Sequence, residues 1–100
     1  MEVIYHPKAD DEVLESAKFY ERPRRALGWR FLSAVQEAEA RIVRSPYAFP
    51  FLDDPIRECV VAGFPFNLLY RIDDEGLLAV AVAHQRRRPG YWRRRLRNRA

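Results

Sequence analysis

The sequence has a single cysteine, Cys59, and no long run of apolar residues. One thiol excludes an internal disulfide and a thiolate metal cluster, so we interpret Cys59 as a small buried apolar side chain. No stretch reaches the roughly 18 to 20 apolar residues that a membrane helix needs. The start of the chain, Met1 to Pro7, lacks the basic region before an apolar one that begins a secretory signal. These absences predict a cytoplasmic protein that does not enter a membrane.

Arginine, in contrast, is abundant. Of the 100 residues, 48% are hydrophobic and 13% aromatic, which is enough to fill the core of one domain. The formal net charge is +4, but the charge is unevenly placed, because residues 85–100 contain eight arginines and no acid. This asymmetry predicts an anionic partner, either nucleic acid or an acidic protein segment.

The first half of the chain predicts one strand and two helices. A short β-branched and aromatic stretch before Pro7 is typical of a strand. Apolar residues at helical spacing then predict a helix over Lys8–Glu21 and a second helix that starts after Gly28 and ends near Arg44. Because the link between them is short, we expect an antiparallel helical hairpin whose apolar face covers a sheet.

The second half predicts that sheet. Residues 46–55 carry three prolines and no period, and so predict a loop. Strand patterns follow at residues 56–62, 66–72 and 77–83, and residues 73–76 have the composition of a hairpin turn. The order of elements predicts an α+β fold, β-α-α-β-β-β, in which the helical hairpin packs on a mostly antiparallel four-stranded sheet.

Five short motifs lie along these elements. They are His6-Pro7-x-Ala9, Gly28-x-x-Phe31, Ser45-Pro46, Phe64-Pro65-Phe66-x-x-x-Tyr70 and His84-Gln85-x-Arg87-x-Pro89-x-Tyr91-Trp92. In order and spacing they resemble the RelE/ParE family of bacterial toxins, also called plasmid stabilisation proteins. The resemblance implies a type II toxin–antitoxin toxin domain over residues 1–92, followed by a basic tail, residues 93–100. It also implies a short cognate antitoxin that masks the toxin, with operator DNA contacted only through that antitoxin.

The resemblance leaves two targets open, because related toxins either inhibit DNA gyrase or cut messenger RNA in the ribosome. RNA cleavage without a metal needs a base, an acid and cations at the phosphate. By the resemblance, Arg86 matches a phosphate-binding arginine and Tyr91 a stacking or proton-transferring tyrosine. His84 could serve as the base, but we favour a structural role because it ends a half-buried strand. If the alternation of that strand persists, His84 lies on the same side as Val80 and Val82.

Asn67 is the main departure from the nucleases, because it stands where they carry a catalytic arginine. An amide cannot replace a fixed positive charge at a phosphate, although Arg57 or Arg71 could supply that charge from a neighbouring position. This gap, and the ParE-like pair His84-Gln85, favour an inhibitor that binds gyrase without chemistry. The alternatives are an mRNA endonuclease and a degenerate member that keeps only antitoxin binding or DNA-linked autoregulation, so whether the protein is an enzyme stays open.

A partner or nucleic-acid surface is also predicted. Its candidate residues are Arg57, Arg71, Arg87, Arg88, Trp92 and Arg93. Tyr91 and Trp92 could stack on bases, but we favour the interpretation that both rings pack on the sheet while the arginines are solvated or hold an acidic antitoxin segment. Glu12 and Glu15 fall on a helix face interpreted as solvated, and Asp73-Asp74 in a turn. We therefore expect no metal site and no cofactor.

Overall fold

The computed structural model describes residues 2–97. The elements along the chain are β1 (Val3–Tyr5), α1 (Pro7–Glu21), α2 (Leu27–Arg44), β2 (Phe51–Asp53), β3 (Ile56–Val61), β4 (Phe66–Asp73), β5 (Gly76–His84) and α3 (Arg93–Arg97). The two predicted helices are confirmed, and α1 begins at Pro7, where a missing N–H costs nothing. Residues 93–97, at the start of the predicted basic tail, form α3, and residues 98–100 lie outside the described part of the chain.

The five strands form one mixed sheet in the order β1-β5-β4-β3-β2. β1 pairs in parallel with β5, and the other three pairings are antiparallel. The predicted four-stranded sheet is therefore wrong by one strand, since β2 lies inside the segment predicted to be a loop. Three residues beside prolines are too short to show an alternation, and all three residues of this edge strand are exposed.

The helical hairpin is held together at the start of α2. The carboxylate of Glu21 accepts hydrogen bonds of 2.9 Å from the N–H groups of both Ala26 and Gly28, and so caps the first turn of α2. These two bonds lower the pKa of Glu21. Gly28 itself is buried against α1, because a Cβ at this position would lie only 2.5 Å from the carbonyl oxygen of Ala17. The glycine of the second motif therefore allows the two helices to approach closely.

Apolar side chains cover both faces of the sheet. The helix-side core joins α1 and α2 to the sheet, and its largest fully buried members include Phe31, Ile42, Leu68 and Tyr70. The outer core lies on the opposite face. Its buried members are Ile56, Leu69, Leu78, Val80, Ala81, Ala83 and Trp92, with Tyr91 and Leu96 packed against them. The segment after β5 therefore covers the outer face of the sheet, as the helical hairpin covers the inner face.

A bulge interrupts β5. The pairing of β4 with β5 contains a register shift that leaves Val80 without an opposite residue. Val80 belongs to the outer core and Val82 to the helix-side core, so the expectation that these two valines share a side is wrong. A prediction that assumes uninterrupted alternation along a strand does not include the extra residue of a bulge. His84 packs against the ring of Phe66 and thus lies on the helix side, with Val82.

Candidate functional site

A cleft of about 400 Å³ opens on the outer face of the sheet. Glu58 of β3 and Asn67 of β4 lie on neighbouring strands in its floor, and Gln85, Arg88 and Trp92 line it from the segment after β5. We call it the sheet cleft. It is the place where the family resemblance puts the chemistry of the nucleases, so its polar contacts decide what it can do.

The Asn67 side chain is hydrogen-bonded to two neighbours. Its Nδ2 donates a 2.9 Å hydrogen bond to Oε1 of Glu58, and its Oδ1 accepts one of 3.2 Å from Nε2 of Gln85. Asn67, which by the resemblance stands where the nucleases carry a catalytic arginine, is thus bonded to a carboxylate. The floor carries the carboxylate of Glu58 and the amide of Asn67, and this part of the cleft favours groups that donate hydrogen bonds over a phosphate. Arg87, Arg88 and Arg93 line the cleft from the segment after β5.

Glu12 of α1 is a second centre of contacts, beside the edge of β5 that β1 does not cover. β1 ends opposite Ala79, so β5 has no strand neighbour on this side beyond that residue. The N–H of Val82 donates a 3.0 Å hydrogen bond to Oε1 of Glu12, and Nη1 of Arg95 donates one of 3.0 Å to the carbonyl oxygen of Val80. Two side chains therefore satisfy the backbone groups that the bulge and the short β1 leave open.

Arg95 and Glu12 also bind each other. The guanidinium donates to both carboxylate oxygens, at 2.9 and 2.7 Å, in the fork geometry typical of strong arginine–carboxylate pairs. Both side chains are mostly buried, with 9% of Arg95 and 13% of Glu12 exposed. The pair fastens α3 to α1 and to β5. The interpretation of Glu12 as a solvated residue is therefore wrong.

Tyr91 belongs to the same cluster. Its hydroxyl donates a 2.7 Å hydrogen bond to Oε2 of Glu12, and the guanidinium of Arg87 lies 3.9 Å from the centre of its ring. Burial, the bond to Glu12 and the charge of that carboxylate hold the pKa of Tyr91 well above its ordinary value. The hydroxyl is thus a committed hydrogen-bond donor at neutral pH.

His84 and Arg86 lie at the end of β5. Nδ1 of His84 accepts a 3.0 Å hydrogen bond from the backbone N–H of Arg86, while its ring meets that of Phe66 edge to face. These contacts orient the ring, and the structural role favoured for His84 stays a prediction. The Arg86 side chain is exposed. His84 lines the sheet cleft, whereas Arg86 does not.

Arg57 and Arg71 do not reach the sheet cleft. Arg57 pairs in register with Tyr70, so its side chain lies on the helix side, where it bonds the carbonyl oxygens of Tyr47 and Phe49. Arg71 is held in an ion pair with Asp73 at 2.7 Å. Neither arginine therefore supplies the cationic charge that Asn67 lacks.

The remaining sequence candidates follow β5. Trp92 is only 2% exposed and packs in the outer core, in line with the interpretation that its ring lies on the sheet. Arg93 forms a 2.6 Å ion pair with Asp53, and Arg87 lies over Tyr91. Arg88 is exposed at the cleft.

Sequence reasoning did not single out Glu12, Glu58 or Arg95 as site residues. A signal existed for two of them, because Glu12 lies one helical turn after the buried Ala9, and Glu58 shares a strand face with the buried Ile56. Arg95 had none, since it is one of three consecutive arginines and its partner lies 83 positions away. Within residues 2–97, no group of three or more histidine, cysteine or acidic side chains could hold a metal ion.

Comparisons with known proteins agree with this architecture. No curated protein sequence matches the chain. No helix within residues 2–97 has the length and apolar character to cross a membrane. Residues 3–89 match the family described as the ParE toxin of type II toxin–antitoxin system, parDE. That span takes in the helical hairpin and all five strands, and it ends just before the Tyr91–Arg95 segment that Glu12 holds. The chain therefore belongs to the ParE toxin family, the toxin half of type II toxin–antitoxin systems.

Proposed function

We propose that this toxin arrests growth by binding DNA gyrase, without chemistry of its own, and that a cognate antitoxin neutralises it. The observation that carries the proposal is the hydrogen bond between Asn67 and Glu58 in the floor of the sheet cleft. A nuclease site must gather positive charge around a phosphate whose negative charge grows in the transition state. The Glu58 carboxylate in the floor repels a phosphate, and the repulsion increases as the negative charge of the phosphate grows.

The state of the acid–base candidates supports the same proposal. The hydroxyl of Tyr91 donates a hydrogen bond to Glu12, and its raised pKa disfavours loss of the hydroxyl proton near neutral pH. One nitrogen of His84 is already bonded to the backbone of Arg86. A general base must be able to reach the hydroxyl that it activates. Both groups are committed to contacts within the protein.

An mRNA endonuclease is the second candidate function. The observation that favours it is the exposed Arg88, which lines the sheet cleft and could bind a phosphate, with the exposed Arg86 two positions before it. On this alternative the RNA would have to displace the bond between Asn67 and Glu58. Arg86→Gln would then abolish cleavage while leaving the fold intact.

The test compares the two activities with one protein preparation. Purified toxin is added to gyrase, relaxed plasmid and ATP, and supercoiling is followed with and without the co-purified antitoxin. We expect dose-dependent inhibition that the antitoxin relieves. In parallel, the toxin is induced in cells and transcript ends are mapped. Unchanged supercoiling, together with new ends inside translated frames that Arg86→Gln removes, would establish the nuclease instead.

The antitoxin is the partner that the family implies. We propose that it docks on apolar side chains that the helical hairpin leaves exposed, among them Leu14, Phe19 and Trp29, of which 55%, 60% and 71% is accessible. Exposed aromatic residues of this kind provide the anchors of protein interfaces. Both candidate targets work in the cytoplasm, which is the location that we propose for the toxin. Trp29→Ser should weaken antitoxin binding in calorimetry, whereas Glu15→Gln should not.

A further inference from the structure

Four exposed arginines in the C-terminal part of the protein have no partner for their guanidinium groups within residues 2–97. They are Arg86, Arg88, Arg94 and Arg97, and we call them the arginine row. The other arginines of this region differ, because Arg87 lies over Tyr91, Arg93 pairs with Asp53 and Arg95 pairs with Glu12. The structure thus separates arginines that hold the fold from arginines that are free to bind.

The support beneath the arginine row is fixed. Arg94 and Arg97 are three positions apart on α3 and share one side of that helix. The same helix is fastened by the ion pair of Arg95 with Glu12 and follows the buried Trp92. Side chains on a fixed support lose less conformational freedom on binding than those of a free tail. Arg94 and Arg97 therefore extend from a helix that is held in place, whereas Arg86 and Arg88 extend from the segment that joins β5 to it.

The distribution of exposed apolar side chains indicates which polyanion the row fits. Within the described residues, the exposed large hydrophobic side chains all lie between Ile4 and Val60. The segment from Gln85 to Arg97 has none, and it also contains no acid. A protein segment needs apolar or aromatic anchors to bind stably, whereas a phosphate backbone needs only charge. The row therefore fits nucleic acid better than an acidic peptide.

We propose that the arginine row binds the phosphate backbone of duplex DNA. The choice of duplex DNA rests on the proposed function, because duplex DNA is the substrate of gyrase. The toxin would then contact the enzyme with one surface and the DNA with another. Guanidinium groups bind phosphates in a bidentate way and without regard to base sequence. This contact belongs to the toxin itself, unlike the contact through the antitoxin that the family resemblance implies.

The experiment measures DNA binding without gyrase. The probe is a fluorescein-labelled duplex of mixed sequence, and its anisotropy is followed as toxin is added at several salt concentrations. Four phosphate contacts give a slope of about −3.6 for log K against log salt. The affinity should therefore fall on the order of 100-fold between 50 and 200 mM salt.

A matched pair of variants assigns the contact. One variant carries Arg→Gln at all four positions of the arginine row. The control carries Arg→Gln at four other exposed arginines, Arg22, Arg24, Arg25 and Arg30, and has the same net charge. We expect the row variant to lose most of the salt-dependent affinity and the control to keep it. Thermal melting of both variants verifies that each is folded.

Three results would overturn the proposal: no salt-dependent binding of the duplex, equal loss in both variants, or stronger binding of single-stranded RNA than of duplex. Equal loss would mean that only net charge matters. The outcome is separable from that of the proposed function. Duplex binding with uninhibited gyrase removes the proposed function and leaves this proposal standing. Inhibited gyrase without duplex binding removes this proposal and leaves the proposed function standing.

Discussion

Removing the Glu12 carboxylate is the sharpest test of how the C-terminal segment is held. The change is Glu12→Ala, which leaves the mostly buried Arg95 without its charged partner and frees the N–H of Val82 and the hydroxyl of Tyr91. Breaking a buried ion pair by deleting one partner costs about 3–5 kcal/mol, mainly because the other charge stays desolvated. We expect a loss of that size in the free energy of unfolding.

The loss is large for a domain of this length, whose total stability is about 5–15 kcal/mol. With a urea m-value of about 1.5 kcal/mol/M, it lowers the midpoint of unfolding by about 2–3 M. The assay is equilibrium unfolding in urea, followed by tryptophan fluorescence, since the buried Trp92 lies next to the affected segment. A double-mutant cycle with Arg95→Met should give a coupling energy of about 1–3 kcal/mol.

The control is Glu15→Ala, on the same helix at an exposed position. We expect it to change the stability by no more than about 0.5 kcal/mol. If Glu12→Ala also costs less than about 1 kcal/mol, or if the cycle gives no coupling, the ion pair does not hold the segment and the reasoning is refuted.

Three further substitutions test other contacts. Gly28→Ala places a Cβ 2.5 Å from the carbonyl oxygen of Ala17 and should cost about 1–3 kcal/mol in thermal unfolding; an unchanged Tm would exclude the close helix approach. Burial raises the pKa of Tyr70 to about 12, so stability should be complete below pH 10 and fall as the pH rises towards 12. Urea unfolding at a series of pH values should show a shallower fall for Tyr70→Phe, and an identical fall would contradict this assignment. The backbone bonds to Glu21 lower its pKa, so wild type should exceed Glu21→Gln in stability at neutral pH and lose that advantage in acid; a difference that persists in acid would contradict the cap.

Much of the fold could be predicted from the sequence because it depends on local periodicity. The spacing of Phe31, Val35 and Ile42 indicates both a helix and its buried side. β2 could not be predicted, since three exposed residues gain their strand conformation only from pairing with β3. The bulge at Val80 was equally hidden, because the side chains around it are all apolar and give no sign of where the pleat shifts.

The candidate site could be predicted only in part, for a different reason. Chemical type and the family resemblance pointed to Tyr91 and Arg86, but the state of a side chain depends on partners that are distant in sequence. Tyr91 meets Glu12 across 79 positions, and no local pattern indicates that its hydroxyl is taken. Composition likewise does not distinguish one arginine from another. Burial and ion pairing separate the arginines that hold the fold from those that are exposed.

That division explains how one basic segment can serve both stability and binding. Arg95 lies at the uncovered edge of β5. There it and Glu12 form hydrogen bonds with backbone groups that a longer β1 would have paired. A longer strand would make the ion pair unnecessary, and it would also remove the only charged contact that fastens α3 to α1 within the described residues. The short first strand thus makes room for one of the contacts that hold Arg94 and Arg97 in place. Because those two arginines are half of the arginine row, part of the proposed DNA contact depends on a gap in the toxin's own sheet.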